Sequence, residues 1–119
     1  MKDTIKELFN HKGRQPRFKF FTTNIILGMT AYLCAAIIIE IPYDLSVLMA
    51  FLTLALVFVM LMSIIATVIN GIKRLHDLNQ SGWLYIIAMI PYIGSLFGLF
   101  LLFWKGTTGK NDYGSDQLK

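Results

Sequence analysis

The amino-acid sequence predicts an all-α polytopic membrane protein with three transmembrane helices and a short N-terminal interfacial helix. More than half of the 119 residues are hydrophobic (55%), and the mean hydropathy is +0.59. Charged residues are crowded into short stretches, whereas a soluble domain would spread them along its solvent faces. The three windows between those stretches are nearly free of charge, and each is long enough to cross a bilayer. The length suits a single membrane domain, residues 1–119.

The first predicted element is a short helix over residues 2–10 that lies on the membrane surface. Ile5, Leu8 and Phe9 recur at helical spacing, and charged residues occupy the rest of the helical wheel. Such a pattern is typical of an interfacial helix. A frayed chain end is the alternative.

Two spans are predicted next. The first, residues 20–39, is about 20 residues without a charge, which matches the thickness of the bilayer core. The second, residues 45–72, is longer than a crossing needs, so tilt or an extension into the cytoplasm would absorb the excess. Its second half carries Ser63, Thr67 and Gly71 at every fourth residue. That small, weakly polar face predicts a helix–helix contact.

The third predicted span covers residues 83–104 and has a tryptophan at each end, as expected at the two membrane interfaces. Pro91 predicts a kink within it. Gly94 and Gly98 are four residues apart and predict the close approach of a neighbouring helix. The tail, residues 105–119, is polar and rich in turn-forming residues.

The distribution of lysine and arginine predicts the orientation. Six of them precede the first span and two follow the second, while the loop between these spans has none. The positive-inside rule therefore places the N-terminus in the cytoplasm, and three full crossings place the tail outside. The alternative is a re-entrant hairpin at Pro91 and Gly94 that returns the tail to the cytoplasm. Each arm would have only about ten residues, too few to cross.

Five short motifs follow one another along the chain. They are G-R-x-x-R at Gly13, R-L-H-D at Arg74, S-G-W at Ser81, I-P-x-x-G at Ile90 and G-T-x-G-x-N-x-Y-G in the tail. The tail motif consists of Gly106, Thr107, Gly109, Asn111, Tyr113 and Gly114. With this combination the chain resembles the bacterial inner-membrane family called domain of unknown function 805. The resemblance covers nearly the whole length and implies a fold and a location, the bacterial inner membrane.

The polar hinge, residues 70–83, holds a dense group of ionisable residues between two apolar runs. Arg74 and Asp77 are three residues apart, so they share a face if the helix continues. Asp77 could also accept hydrogen bonds from Arg14 or Arg17 at the same membrane depth. We expect such a network to fix geometry, because interfacial charge networks are mostly structural.

His76 and Asp77 also suggest a metal site or acid–base chemistry. A catalytic zinc normally has three protein ligands, and the hinge offers two adjacent candidates. Asp112 would complete a set only if the tail were cytoplasmic. The sequence therefore predicts neither a metal nor a cofactor.

The leading functional hypothesis is a non-enzymatic inner-membrane component that binds lipid or a partner protein through a cytoplasmic cluster. Its members are Arg14, Arg17, Arg74, His76 and Asp77. Guanidinium groups suit lipid phosphates, so anionic headgroups are the expected partners. Nucleic acid is not expected, because the net charge of +4 lies beside apolar segments.

Two alternatives belong to other classes of function. One is a subunit of a small homo-oligomeric channel or transporter, with Ser63, Thr67 and Asn70 as candidate lining. The weaker one is a lipid-modifying enzyme centred on His76 and Asp77. For any of these, the Gly94–Gly98 face predicts a homo-oligomer or a place in a larger membrane complex.

Overall fold

Helices account for nearly all regular structure in residues 2–42 and 46–114, the part of the chain that this computed structural model describes. In chain order they are α1 (Lys2–Leu8), α2 (Arg17–Glu40), α3 (Val47–Asp77), a 3₁₀ helix (Gly82–Met89) and α4 (Ile93–Phe103). Strand-like pairing within those ranges is limited to one isolated bridge in the tail. The predicted all-α class is confirmed. The predicted start of the second span at residue 45 and the tail residues 115–119 lie outside the described residues.

The two long helices pack along one another and form the body of the molecule. Both are long and apolar enough to cross a membrane. Only 11% of the most apolar window of α2 and 6% of that of α3 are buried, whereas the core helix of a soluble protein would be mostly buried. The exposed apolar faces of α2 and α3 therefore fit a lipid environment.

The second long helix continues well beyond the predicted span and includes the first half of the polar hinge. Its 31 residues correspond to about 46 Å of helix, against a bilayer core of about 30 Å. The helix ends because Asn79 adopts a left-handed conformation with φ of 57°, which asparagine tolerates better than most residues. The N–H of Asn79 donates to the carbonyl of His76, and that of Gln80 to the carbonyl of Leu75. This pairing is a Schellman motif.

The predicted third span, residues 83–104, is not one continuous helix. The chain reverses between Met89 and Ile93, where Pro91 lacks an N–H and Tyr92 adopts φ of 66°. The 3₁₀ arm is about 16 Å long and the α4 arm about 17 Å, roughly half of the bilayer core each. A third full crossing is not confirmed.

The two arms of this hairpin pack against each other and against the long helices. A Cβ atom at Gly94 would clash with the carbonyl oxygen of Ala88, so Gly94 permits a contact within the chain. A Cβ atom at Gly98 would meet no such neighbour among the described residues. The Tyr85 ring of the 3₁₀ arm lies on Gly71 of α3. The small core beside these contacts consists of Phe20, Leu75 and Leu101, with Leu78, Tyr85, Phe97 and Leu102 packed around it.

The N-terminal helix is connected to the long helices by lysine side chains. The Lys73 Nζ atom donates to the Glu7 carbonyl at 2.8 Å, and Lys19 forms an ion pair with the Glu7 carboxylate. The hydrogen bond from Lys19 lowers the pKa of the Glu7 carboxyl, although partial burial opposes the shift. The end of α1 therefore lies beside the C-terminal part of α3.

Candidate functional site

Three charged side chains from two segments meet in a buried charge cluster, which consists of Arg14, Arg74 and Asp77. Arg74 and Asp77 are one helical turn apart on α3. Arg14 comes from the bent segment, residues 9–16, which connects α1 to α2. The Arg14 Nε atom donates to Asp77 Oδ1 at 3.0 Å, and Arg74 Nη1 donates to Oδ2 at 2.5 Å. Arg14, Arg74 and Asp77 are 4%, 0% and 5% exposed. Both carboxylate oxygens are thus occupied by guanidinium groups.

The remaining donors of Arg14 bind the tail. Its Nη1 atom donates to the carbonyl oxygens of Gly109 and Gly114, at 2.5 and 3.2 Å, and its Nη2 atom donates to the carbonyl of Thr107. The planar guanidinium presents its donors in a fixed fork, so these carbonyls hold Arg14 in one orientation. Arg14 therefore connects the N-terminal segment, α3 and the tail.

The remaining donors of Arg74 bind the end of α4 and the bent segment. Its Nε atom donates to the Leu101 carbonyl at 2.6 Å, and Nη2 donates to the Trp104 carbonyl at 2.5 Å. The Nη1 atom also donates to the Gln15 carbonyl at 3.2 Å. Carbonyl oxygens at a helix C-terminus lack partners within the helix. Arg74 supplies such partners and so fixes the returning arm of the hairpin.

The tail motif wraps around the cluster. Gly106 lies so close to Asp77 that a Cβ atom would clash with the carboxylate, and the Thr107 N–H donates to the Asp77 carbonyl at 2.7 Å. Gly109 and Gly114 have φ of 76° and 133°, in the region that favours glycine. The tail motif therefore has a structural role at the hinge that its turn-like composition did not indicate.

His76 lies under the same tail. The Tyr113 ring stacks on its imidazole with 4.0 Å between the ring centroids and 4° between the planes. The His76 Nδ1 atom lies 2.9 Å from the Gly13 carbonyl, and Asn111 Nδ2 donates to the His76 carbonyl at 2.9 Å. These contacts hold the imidazole in one orientation between the bent segment and the tail.

The contact between tail and hinge does not fit the predicted topology. Three full crossings would separate the tail from the hinge by the whole membrane, whereas Thr107 and Asn111 bind α3 residues of the hinge directly. The re-entrant alternative fits this contact. The chain reverses at Pro91 and so brings the tail back to the hinge, whereas the sequence predicted only a kink there.

Other predicted site residues occupy different places. Arg17 is exposed and donates to the Phe103 carbonyl at 3.3 Å, so it does not share Asp77 with Arg14. The backbone N–H of Asp112 donates to Asn79 Oδ1. Among the described residues, no group of three or more His, Cys, Asp and Glu side chains could hold a metal ion.

The predicted channel-lining residues form hydrogen bonds within the chain. The hydroxyl groups of Ser63 and Thr67 donate to carbonyls one turn earlier in α3, at 3.0 and 2.8 Å. Asn70 is 1% exposed and lies between α2 and α3. A buried amide in this position serves helix packing.

A second polar layer, formed by Gln15, Asn24 and Asn70, was missing from the predicted site. Gln15 Nε2 donates to Asn70 Oδ1 at 2.5 Å, and Asn70 Nδ2 donates to Asn24 Oδ1 at 2.8 Å. The Gln15 N–H also donates to the Lys73 carbonyl at 3.0 Å. Asn24 and Asn70, two amides within apolar runs, were the sequence signal for this layer, because polar side chains in such runs usually bind one another.

The comparisons with known proteins agree with the resemblance in the sequence. The family described as protein of unknown function (DUF805) matches residues 8–115. The chain is 30% identical over 110 residues to the inner membrane protein YhaI of Escherichia coli K12, with 91% of this chain and 84% of that protein covered. It is 39% identical over 44 residues to the inner membrane protein YhaH of the same strain, with 37% and 36% covered. No solved structure matches. The chain belongs to the DUF805 family and is an integral membrane protein.

Proposed function

We propose that this protein is a non-enzymatic component of the bacterial inner membrane that binds anionic lipid headgroups at one cationic end. The observation that carries the proposal is the gathering of its basic residues. The exposed lysines and arginines lie in α1, the bent segment, the start of α2 and the tail. Each of these four parts of the chain contacts the C-terminal part of α3. The exposed basic residues are Lys2, Lys6, Lys12, Arg17, Lys19, Lys105 and Lys110.

The same distribution supports an orientation with both the N-terminus and the tail in the cytoplasm. No lysine or arginine occurs between Lys19 and Lys73, and Glu40 ends α2 at the other end of the long helices. With the hairpin reversed, Lys105 and Lys110 join the other basic residues on one side. The two long helices would then be the crossings, and the positive-inside rule is obeyed without exception in the described residues.

The buried arginines are assigned a structural role in this proposal. Arg14 and Arg74 direct their donors to Asp77 and to backbone carbonyls, so a lipid phosphate would have to displace bonds within the chain. A buried ion pair of this kind fixes geometry. The exposed cations remain available, and each contributes about 1 kcal/mol of attraction to an anionic leaflet. Asp77 has both oxygens occupied, so it is poorly placed to act as a general base.

The proposal predicts a preference for anionic lipid. Native mass spectrometry of the protein released from gentle detergent, after exposure to equal amounts of phosphatidylglycerol and phosphatidylcholine, should show phosphatidylglycerol retained at least about fivefold more often, since one basic residue contributes about 1 kcal/mol. The preference should fall as salt is raised, because surface charges are screened. Equal retention of the two lipids at low salt would contradict the proposal.

A further inference from the structure

Two neighbouring cavities lie where the start of α2 meets the end of α4 and the segment that follows it, one lined by cations and the other apolar. They share no lining residue but follow one another along both helices, and together they are called the cleft. Its outer part is a cavity of about 340 Å³, with Arg17 and Lys105 as exposed cations. Thr107 and Thr108 add hydroxyl groups to the lining. Asp77 also lines this cavity, but its charge is compensated by two arginines. The outer cavity therefore has a net positive charge.

The inner part of the cleft is an apolar groove of about 420 Å³ between the same two helices. On α2, Phe21 and Ile25 follow Arg17 at intervals of four residues, so the three share a helix face. On α4, Gly98 and Leu102 are likewise one turn apart, and Lys105 follows the end of this face. Moving along both helices away from the hinge therefore leads from the cations into the groove.

Gly98 lines the groove and leaves open space there. Apart from its own helix backbone and its two chain neighbours, a Cβ atom there would meet no described atom within 4 Å, so the glycine leaves space instead of admitting a neighbour from its own chain. The groove is flanked by Phe21 and Leu99, which are 45% and 52% exposed. Since α2 is exposed along its apolar length, the groove opens sideways to the surroundings of the long helices.

We propose that this cleft holds one anionic phospholipid, with its phosphate against Arg17 and Lys105 and one acyl chain along Gly98. The inference rests on the proposed function and names its specific site. A phospholipid at a membrane interface has its charge and its apolar chain in this order, and guanidinium with ammonium suits a phosphate.

A second copy of this chain fits the cleft less well. A symmetric contact would bring the two sets of cations together, and Glu40 lies at the far end of α2 from them. A free phosphate would fill the outer cavity but leave the apolar groove unused. The charge pattern and the groove together therefore favour the lipid.

The test uses the full-length protein, freed of lipid in detergent and titrated with dioctanoyl-phosphatidylglycerol in native mass spectrometry. We expect one tightly bound lipid per chain. The double variant Arg17→Gln/Lys105→Gln should weaken binding about tenfold or more, since each removed cation contributes about fivefold or more. The matched control Lys12→Gln/Lys110→Gln removes the same charge from exposed positions that do not line the cleft. It should weaken binding clearly less than the cleft variant does, because it removes general attraction to the headgroup and no direct contact with the phosphate.

The Gly98→Leu variant separates the possible occupants. It fills open space, so the fold should be kept, and it should weaken phosphatidylglycerol binding while leaving weak competition by inorganic phosphate unchanged. Full competition by inorganic phosphate with no effect of Gly98→Leu would overturn the lipid in favour of a free anion. A shift from dimer to monomer with unchanged lipid binding would show that the groove holds a second copy.

The two proposals fail in different ways. If both double variants weaken binding equally, the cleft is not a site, although general attraction to anionic lipid still stands. If the unmodified protein binds dioctanoyl-phosphatidylcholine as tightly as the anionic lipid, the proposed function fails together with the site.

Discussion

Replacing Asp77 with asparagine is expected to lower the free energy of unfolding by about 3–5 kcal/mol, the usual cost of removing one partner from a buried ion pair. Asp77 is the only acidic side chain that the described contacts give to the two buried arginines. A neutral amide in its place would leave two guanidinium groups buried without an anion, although most of their carbonyl partners would remain. Thermal melting in detergent, followed by size-exclusion chromatography, measures the loss.

Asp112→Asn is the matched control for this change. It removes the same charge from an exposed tail position, so the free energy of unfolding should change by no more than about 0.5 kcal/mol. Hydrogen exchange adds a local measurement, because release of the tail should speed exchange at Thr107, whose N–H donates to the Asp77 carbonyl. Equal melting of the Asp77→Asn and Asp112→Asn proteins would show that the buried charge cluster does not stabilise the fold.

Replacing Gly106 with alanine is expected to cost about 1–3 kcal/mol, as overpacking usually does. The added Cβ atom would clash with the Asp77 carboxylate and stand 3.2 Å from its carbonyl oxygen. Asp77 cannot rotate away without breaking its bonds to Arg14 and Arg74. We therefore expect a lower melting temperature and faster proteolysis of the tail.

Gly98→Ala is the control for Gly106→Ala. Both replace glycine by the smallest side chain, but the Gly98 position has open space among the described residues and lies within α4. Because alanine favours the helix, Gly98→Ala should be neutral or stabilising by up to about 1 kcal/mol. If Gly106→Ala melted as the unmodified protein does, the close approach of the tail to Asp77 would be wrong.

The sequence predicts the long helices and one part of the cluster because these depend on local pattern. Charge-free runs of sufficient length predict α2 and α3, and the spacing of Arg74 and Asp77 places them on one face once α3 continues. The pairing of Arg14 with Asp77 was one of two expectations, since Arg17 was an equal candidate. The bend at Pro16 and the packing of Gln15 decide between them, and neither can be read from spacing.

The returning hairpin could not be predicted with the same rules. Pro91 in an apolar run is compatible with a kinked span as well as a reversal, and a tyrosine with positive φ at position 92 has no sequence signal. The contact of the tail with the hinge joins residues 30 or more positions apart, as Asn111 and His76 illustrate. No local pattern in the sequence predicts that contact.

The location of the tail is the most direct test of this architecture. Single cysteines are introduced by Lys12→Cys, Glu40→Cys or Lys110→Cys in a Cys34→Ala background, which removes the one native cysteine. Intact spheroplasts are then treated with a membrane-impermeant maleimide. We predict labelling of the Glu40→Cys protein alone, with the Lys12→Cys and Lys110→Cys proteins labelled only after the membrane is opened. Labelling of Lys110→Cys together with Glu40→Cys in intact spheroplasts would contradict the returning hairpin and restore a third crossing.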